Sequence, residues 1–163
     1  MFSVGIKEST AFSKIVVLAQ THTGTQVEIL QACGAILHSY AIQHNGKLLN
    51  VIEGYESDAD FKTNAEAKGF RNIKMSPFAC RIKAATYNFG GSAYTIRKFL
   101  LNGAAIHGLL YNEPFTVTNT WATEQSAGVT LLCNYNATDK GYPFNFSCEV
   151  TYELKPNNAL TLH

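Results

Sequence analysis

The sequence predicts an all-β protein, an antiparallel β-sandwich carrying one short surface helix. Three observations point to it. Apolar residues recur with a period of two over long segments, Asn-Gly and Gly-Gly turn signals fall between such segments, and only one stretch carries helix-end signals. No fixed-period repeat and no linker-like shift in composition divides the chain, so residues 1–163 read as a single β-sandwich domain.

The first clear strand pair is Ile36–Gln43 and Leu48–Ile52, joined at Asn45-Gly46. Both turn residues tolerate positive φ, which a two-residue hairpin turn requires. Ser57 follows as a helix N-cap, with Asp58 and Asp60 in the first turn and Gly69 as the stop. Few residues of that stretch are apolar, so the helix belongs on the surface. Thr86–Phe89 and Tyr94–Ile96 make a second hairpin across Gly90-Gly91. Phe115, Val117, Asn119 and Trp121 alternate with Thr116, Thr118 and Thr120, which puts the first four on one face. Glu124–Ser126 turns the chain into Val129, Leu131, Cys133 and Tyr135, again alternating. The longest run sets Phe144, Phe146, Cys148, Val150, Tyr152 and Leu154 against Asn145, Ser147, Glu149, Thr151 and Glu153. Lys155–Asn158 then leads to a last short run, Ala159–Leu162, which reads as an edge strand.

Composition excludes several classes of function. The chain has 13 Lys+Arg and 12 Asp+Glu, a net charge of +1, so it lacks the positive excess that binds a nucleic-acid backbone. With 46% hydrophobic and 15% charged residues it is no disordered tail. No run of about 18 apolar residues exists to cross a membrane. The apolar run Ile15–Ala19 is too short for a secretory leader, so a cytoplasmic location is expected. Cys33, Cys80, Cys133 and Cys148 form no CxxC pair and have no histidine at ligand spacing. They read as buried reduced thiols, with no metal or redox role expected. HExxH, GxSxG, P-loop and GxGxxG motifs are absent.

Candidate chemistry sits in three loops. In Ser76-Pro77-Phe78-Ala79-Cys80-Arg81-Ile82, the Arg81 guanidinium offers a planar fork of donors to a hydroxyl-rich or anionic ligand. In Ala105-Ile106-His107-Gly108-Leu109, a histidine followed by glycine brings imidazole and backbone close to a ligand. In Asp139-Lys140-Gly141-Tyr142-Pro143-Phe144 the expectation is turn chemistry: Asp139 bonding the backbone, Gly141 supplying positive φ, Pro143 fixing the next step. A surface arginine and a hydrogen-bonded structural histidine are the plainer readings of Arg81 and His107.

In this order, the three loops resemble the N-terminal portion of the aldose 1-epimerase (galactose mutarotase) family. The residues carrying the resemblance are Phe78-Ala79-Cys80-Arg81-Ile82, Tyr87-Asn88-Phe89-Gly90-Gly91, Ala105-Ile106-His107-Gly108-Leu109, and Asp139-Lys140-Gly141-Tyr142-Pro143-Phe144 leading into Cys148–Leu154. The segment around Asn45-Gly46, ending Gly54-Tyr55, resembles the family's first hairpin, and the likeness runs from about Gln26 onward. The resemblance implies a large mutarotase-like β-sandwich, of which this chain is part, binding an aldohexose in an open cleft. It implies that Arg81 and His107 hydrogen-bond sugar oxygens, and that the reaction interconverts α and β anomers without metal or cofactor. It also implies that the acid histidine, the base glutamate and a sugar-binding aspartate lie beyond this chain, so no catalytic residue is assigned within it. Missing half of a sandwich would favour self-association or pairing with that half. The sequence departs from the family at Cys80, where asparagine is usual, and at Ala84-Ala85, where a glycine is frequent. Two alternatives stay open: a non-catalytic carbohydrate-binding module, and a hexose-6-phosphate mutarotase using Arg81, Lys83 and Arg97-Lys98.

Overall fold

The computed structural model describes residues 1–163. The chain begins with an antiparallel meander of five strands: β1 (Phe2–Ser9), β2 (Ser13–Gln20), β3 (Thr25–Leu30), β4 (Ile36–His44) and β5 (Lys47–Asn50). One helix follows, α1 (Asp58–Asn64). The middle of the chain holds short strands: β6 (Arg81–Ile82), β7 (Thr86–Phe89), β8 (Ser92–Thr95), β9 (Leu100–Leu101) and β10 (Ala104–Ile106). β6, β10 and β9 form a small three-stranded sheet, and β7 and β8 pair as a separate hairpin. The chain closes with a four-stranded meander, β11 (Thr116–Ala122), β12 (Ala127–Tyr135), β13 (Phe146–Lys155) and β14 (Ala159–Leu162). Every pairing between named strands is antiparallel.

The two meanders pack face to face, with β1 and β2 lying over β11 and β12. Val16, Leu18, Val27 and Ile29 from the first sheet meet Val129, Leu131, Val150, Tyr152 and Leu154 from the second in one buried cluster. Each fully buried aliphatic side chain of this kind contributes about 1.5–3 kcal/mol. A second cluster lies on the other side of the first sheet, where Phe12, Ile15, Leu30 and Ile36 meet Tyr55 and Phe61. The first sheet is therefore buried on both faces at β2. This is why Ile15-Val16-Val17-Leu18 carries no period-two signal. The segment around Asn45-Gly46 closes β4 onto β5 and is the fourth strand connection of the meander, not the first. Asn45 and Gly46 have φ of 49° and 75°, as that turn requires.

Ser57 caps α1, its hydroxyl accepting from the Asp60 amide at 3.0 Å. The helix ends at Asn64, earlier than Gly69, but Gly69 still closes the following turn. Its amide bonds to the Glu66 carbonyl and the Phe70 amide to the Ala65 carbonyl, the paired bonds of a glycine-terminated helix end.

Trp121 departs from its expected face. A register shift between Val117 and Asn119 leaves Thr118 unpaired and reverses the alternation beyond it. Trp121 then lies opposite Gly128, whose missing side chain leaves room for the indole. The indole Nε1 donates to Ser126 Oγ at 3.2 Å. Cysteine burial also differs: Cys33 and Cys133 are buried, Cys148 is half-buried, and Cys80 is exposed. All four are free thiols. No helix is long and apolar enough to cross a membrane.

Candidate functional site

Arg81 and His107 stand side by side because β6 pairs with β10. Arg81 lies opposite Ile106, and the His107 amide donates to the Cys80 carbonyl at 2.9 Å. Arg81 is exposed and makes no ion pair, which leaves its donors free.

The backbone around His107 is held from several directions. His107 and Gly108 both have positive φ, 58° and 79°. A side chain on Gly108 would collide with the Ser76 carbonyl, which bridges to this segment and accepts from the Leu109 amide at 2.6 Å. Glycine after the histidine is thus a steric requirement of this approach. Leu109 and Leu110 are fully buried in the main core, and Ala105 with them, so the sandwich anchors the segment on both sides of the histidine.

The imidazole of His107 meets the ring of Phe70 edge-on, with centroids 4.7 Å apart. Its Nδ1 is buried without a protein partner. Burial pushes its pKa below the usual 6.5, and the nearby Arg81 guanidinium adds to the effect. At neutral pH the ring is therefore uncharged, with one nitrogen donating and one accepting, a pattern suited to a hydroxyl. Phe70, Phe99 and Tyr111 wall a small cavity of about 150 Å³ beside Ile106, with Lys62, Thr63 and Glu66 at its polar side. Phe70 is the residue that sequence reasoning missed. Thirty-seven positions separate it from His107 in the chain, and no local pattern signals the contact.

The third loop does not join Arg81 and His107. The buried Asp139 carboxylate accepts from the amides of Arg97, Lys98 and Gly141, each at 2.7 Å. This fits the expected backbone bonding. Gly141 is needed for a different reason from the one expected: its φ is not positive, and its Cα instead sits against the Thr95 carbonyl, where no side chain fits. Tyr87 donates to the Gly141 carbonyl at 2.9 Å, so the loop latches the β7–β8 hairpin onto the second sheet. Arg97 and Lys98, with Thr138 and Lys140, line an open basic hollow at this turn, and neither Arg81 nor His107 lines it. No group of three or more His, Cys, Asp or Glu side chains has the geometry to hold a metal.

A comparison with curated proteins returns no match. Solved structures match along nearly the whole chain. A galactose 1-epimerase from Lactobacillus acidophilus NCFM is 20% identical, with a TM-score of 0.71, over 99% of this chain and 47% of its own. A galactose mutarotase-like protein from Clostridium acetobutylicum is 18% identical, with a TM-score of 0.70, over 95% of this chain and 45% of its own. A GalM/aldose epimerase homologue from C. elegans is 24% identical, with a TM-score of 0.67, over 98% of this chain and 45% of its own. These likenesses show the galactose mutarotase fold, and the chain spans under half the length of the structures it matches. The family model for aldose 1-epimerase matches residues 15–163, and the chain belongs to that family.

Proposed function

We propose that this chain supplies the sugar-binding side of an aldose 1-epimerase site, with Arg81 and His107 hydrogen-bonding the oxygens of an aldohexose such as galactose or glucose. The observation that carries this reading is the β6–β10 pairing, which sets a free guanidinium beside a neutral imidazole. Mutarotation needs a base on the anomeric hydroxyl and an acid on the ring oxygen, so that the ring opens, C1 rotates about the C1–C2 bond, and the ring recloses. Arg81 remains charged throughout and serves as an orienting donor. His107 holds a hydroxyl in register. The acid and the base come from the part of the fold that this chain does not span. Four free thiols suit a reducing compartment, in keeping with a cytoplasmic protein.

β14 forms an open edge of the second sheet, with Leu162 54% exposed. A further strand, from the rest of the fold or a second copy, is proposed to pair there. Sedimentation at rising concentration is expected to show self-association of the chain alone. A strictly monomeric species would remove this proposal.

Polarimetry on freshly dissolved α-galactose or α-glucose tests the catalytic assignment. The chain alone is expected to leave the mutarotation rate at its uncatalysed value while binding the sugar. Catalysis at the level of a complete epimerase would place the acid and base within residues 1–163.

A further inference from the structure

We propose that Lys74 is a reactive amine that captures small carbonyl compounds with an apolar tail as a Schiff base, in a cavity that uses none of the residues assigned to the sugar. The cavity is about 360 Å³ and lies between β4, β13, β14 and the segment before Ser76. Leu37, Ile73, Tyr152, Leu160 and Leu162 form its apolar walls, and Asn72 and Lys74 are its other lining residues. Lys74 Nζ donates to the carbonyls of Ala35 and Asn72, each at 3.2 Å, and stands 5.2 Å from the centroid of the Tyr152 ring. It takes part in none of the six ion pairs of the chain. An ammonium group enclosed by apolar walls with no carboxylate beside it is costly, and shedding the proton relieves that cost.

Burial makes the free base more available here than on a solvated lysine. Burial lowers the Lys74 pKa from 10.5 to about 8, against the Cys148 thiol from β13, the two carbonyl acceptors and the Tyr152 ring face, which favour the ammonium. The other titratable group facing it, the Tyr152 phenol, donates to the same Ala35 carbonyl at 2.7 Å and is kept protonated by burial, so it offers no negative charge. β4 and β14 present only Leu37, Leu160 and Leu162 to the cavity. Two carbonyls accept two N–H bonds of the neutral amine, which leaves its lone pair for an electrophile. The lone pair attacks the carbonyl carbon, and the oxygen takes up a proton to give a carbinolamine. Loss of the hydroxyl as water, with the second amine proton, forms the C=N bond. No oxidant or reductant is consumed, and water is the only by-product. The apolar walls select the tail of the carbonyl compound.

Reductive trapping on the intact protein tests this. Hexanal or glyceraldehyde is added with cyanoborohydride near neutral pH, and adducts are mapped by peptide mass. The chain's other nine lysines serve as internal controls. Hexanal is expected to label Lys74 about tenfold faster than the mean of the others, and glyceraldehyde to show no such preference. The advantage should shrink as pH rises from about 8 toward 10.5, where ordinary lysines also lose their protons. Labelling of Lys74 no faster than its neighbours would overturn the proposal, as would equal preference for the two aldehydes.

Discussion

β12 and β13 run for 9 and 10 residues and pair without interruption, whereas β6, β9 and β10 run for 2, 2 and 3. The long pair buries alternate residues and gains its stability from apolar area. The short sheet is set among backbone turns: Phe70, Asn72, Cys80, Ala84, Ala85, Phe99, Asn102 and His107 all have positive φ without being glycine. Each such residue costs on the order of 1–3 kcal/mol, so this region does not hold itself. It persists because Ala105, Leu109 and Leu110 are set into the core built by the long strands. One region supplies stability and the other spends it on placing Arg81 and His107 together.

Substitutions can separate the two regions. The largest effect is expected from Leu131→Ala, at the centre of the core, with a loss of about 2–5 kcal/mol in urea unfolding. Arg81→Ala should do the reverse, leaving unfolding within about 0.5 kcal/mol while weakening galactose binding by about 1.5–3 kcal/mol in calorimetric titration. If Arg81→Ala destabilises the fold as much as the core change, the division of labour fails. Gly108→Ala bridges the regions. It must move the Ser76 carbonyl, so it should cost about 1–3 kcal/mol of stability and also weaken sugar binding.

Smaller effects come from the helix. Ser57→Ala removes the cap and should cost about 1 kcal/mol, with sugar affinity unchanged, because α1 packs Phe61 into the second cluster. Asp60 gives an acid signature. The Lys68 ammonium, then the Glu56 amide and the Asn64 side chain, hold its carboxylate at about 2 instead of 3.8. A lowered carboxylate pKa contributes stability that is complete above 3.8 and is lost as pH falls toward 2. Asp60→Asn should flatten that part of the acid unfolding curve.

The same contrast governs what the sequence reveals. β12 and β13 are each half-buried, so alternation marks their strands and their faces correctly. β2 is buried on both sides and shows no alternation, and a single unpaired residue, Thr118, reverses the face of Trp121. Hairpin turns at Asn45-Gly46 and Gly90-Gly91 and the Ser57 cap are local devices and are legible as such. The site is less so. Arg81 and His107 can be named from their motifs, but their adjacency is a property of strand pairing. The contact of Phe70 with His107 is set by tertiary packing alone.

The central claim is that Arg81 and His107 together bind an aldohexose, and the imidazole resonances of His107 report on it directly. Titration with galactose or glucose should move them saturably in the wild-type protein and not in Arg81→Ala. The response should persist at pH 6.5, where an ordinary imidazole is half charged, and fade only at lower pH as the ring takes up its proton, because burial lowers its pKa. Saturable sugar binding that leaves the His107 resonances unmoved, and that survives both Arg81→Ala and His107→Ala, would contradict the account.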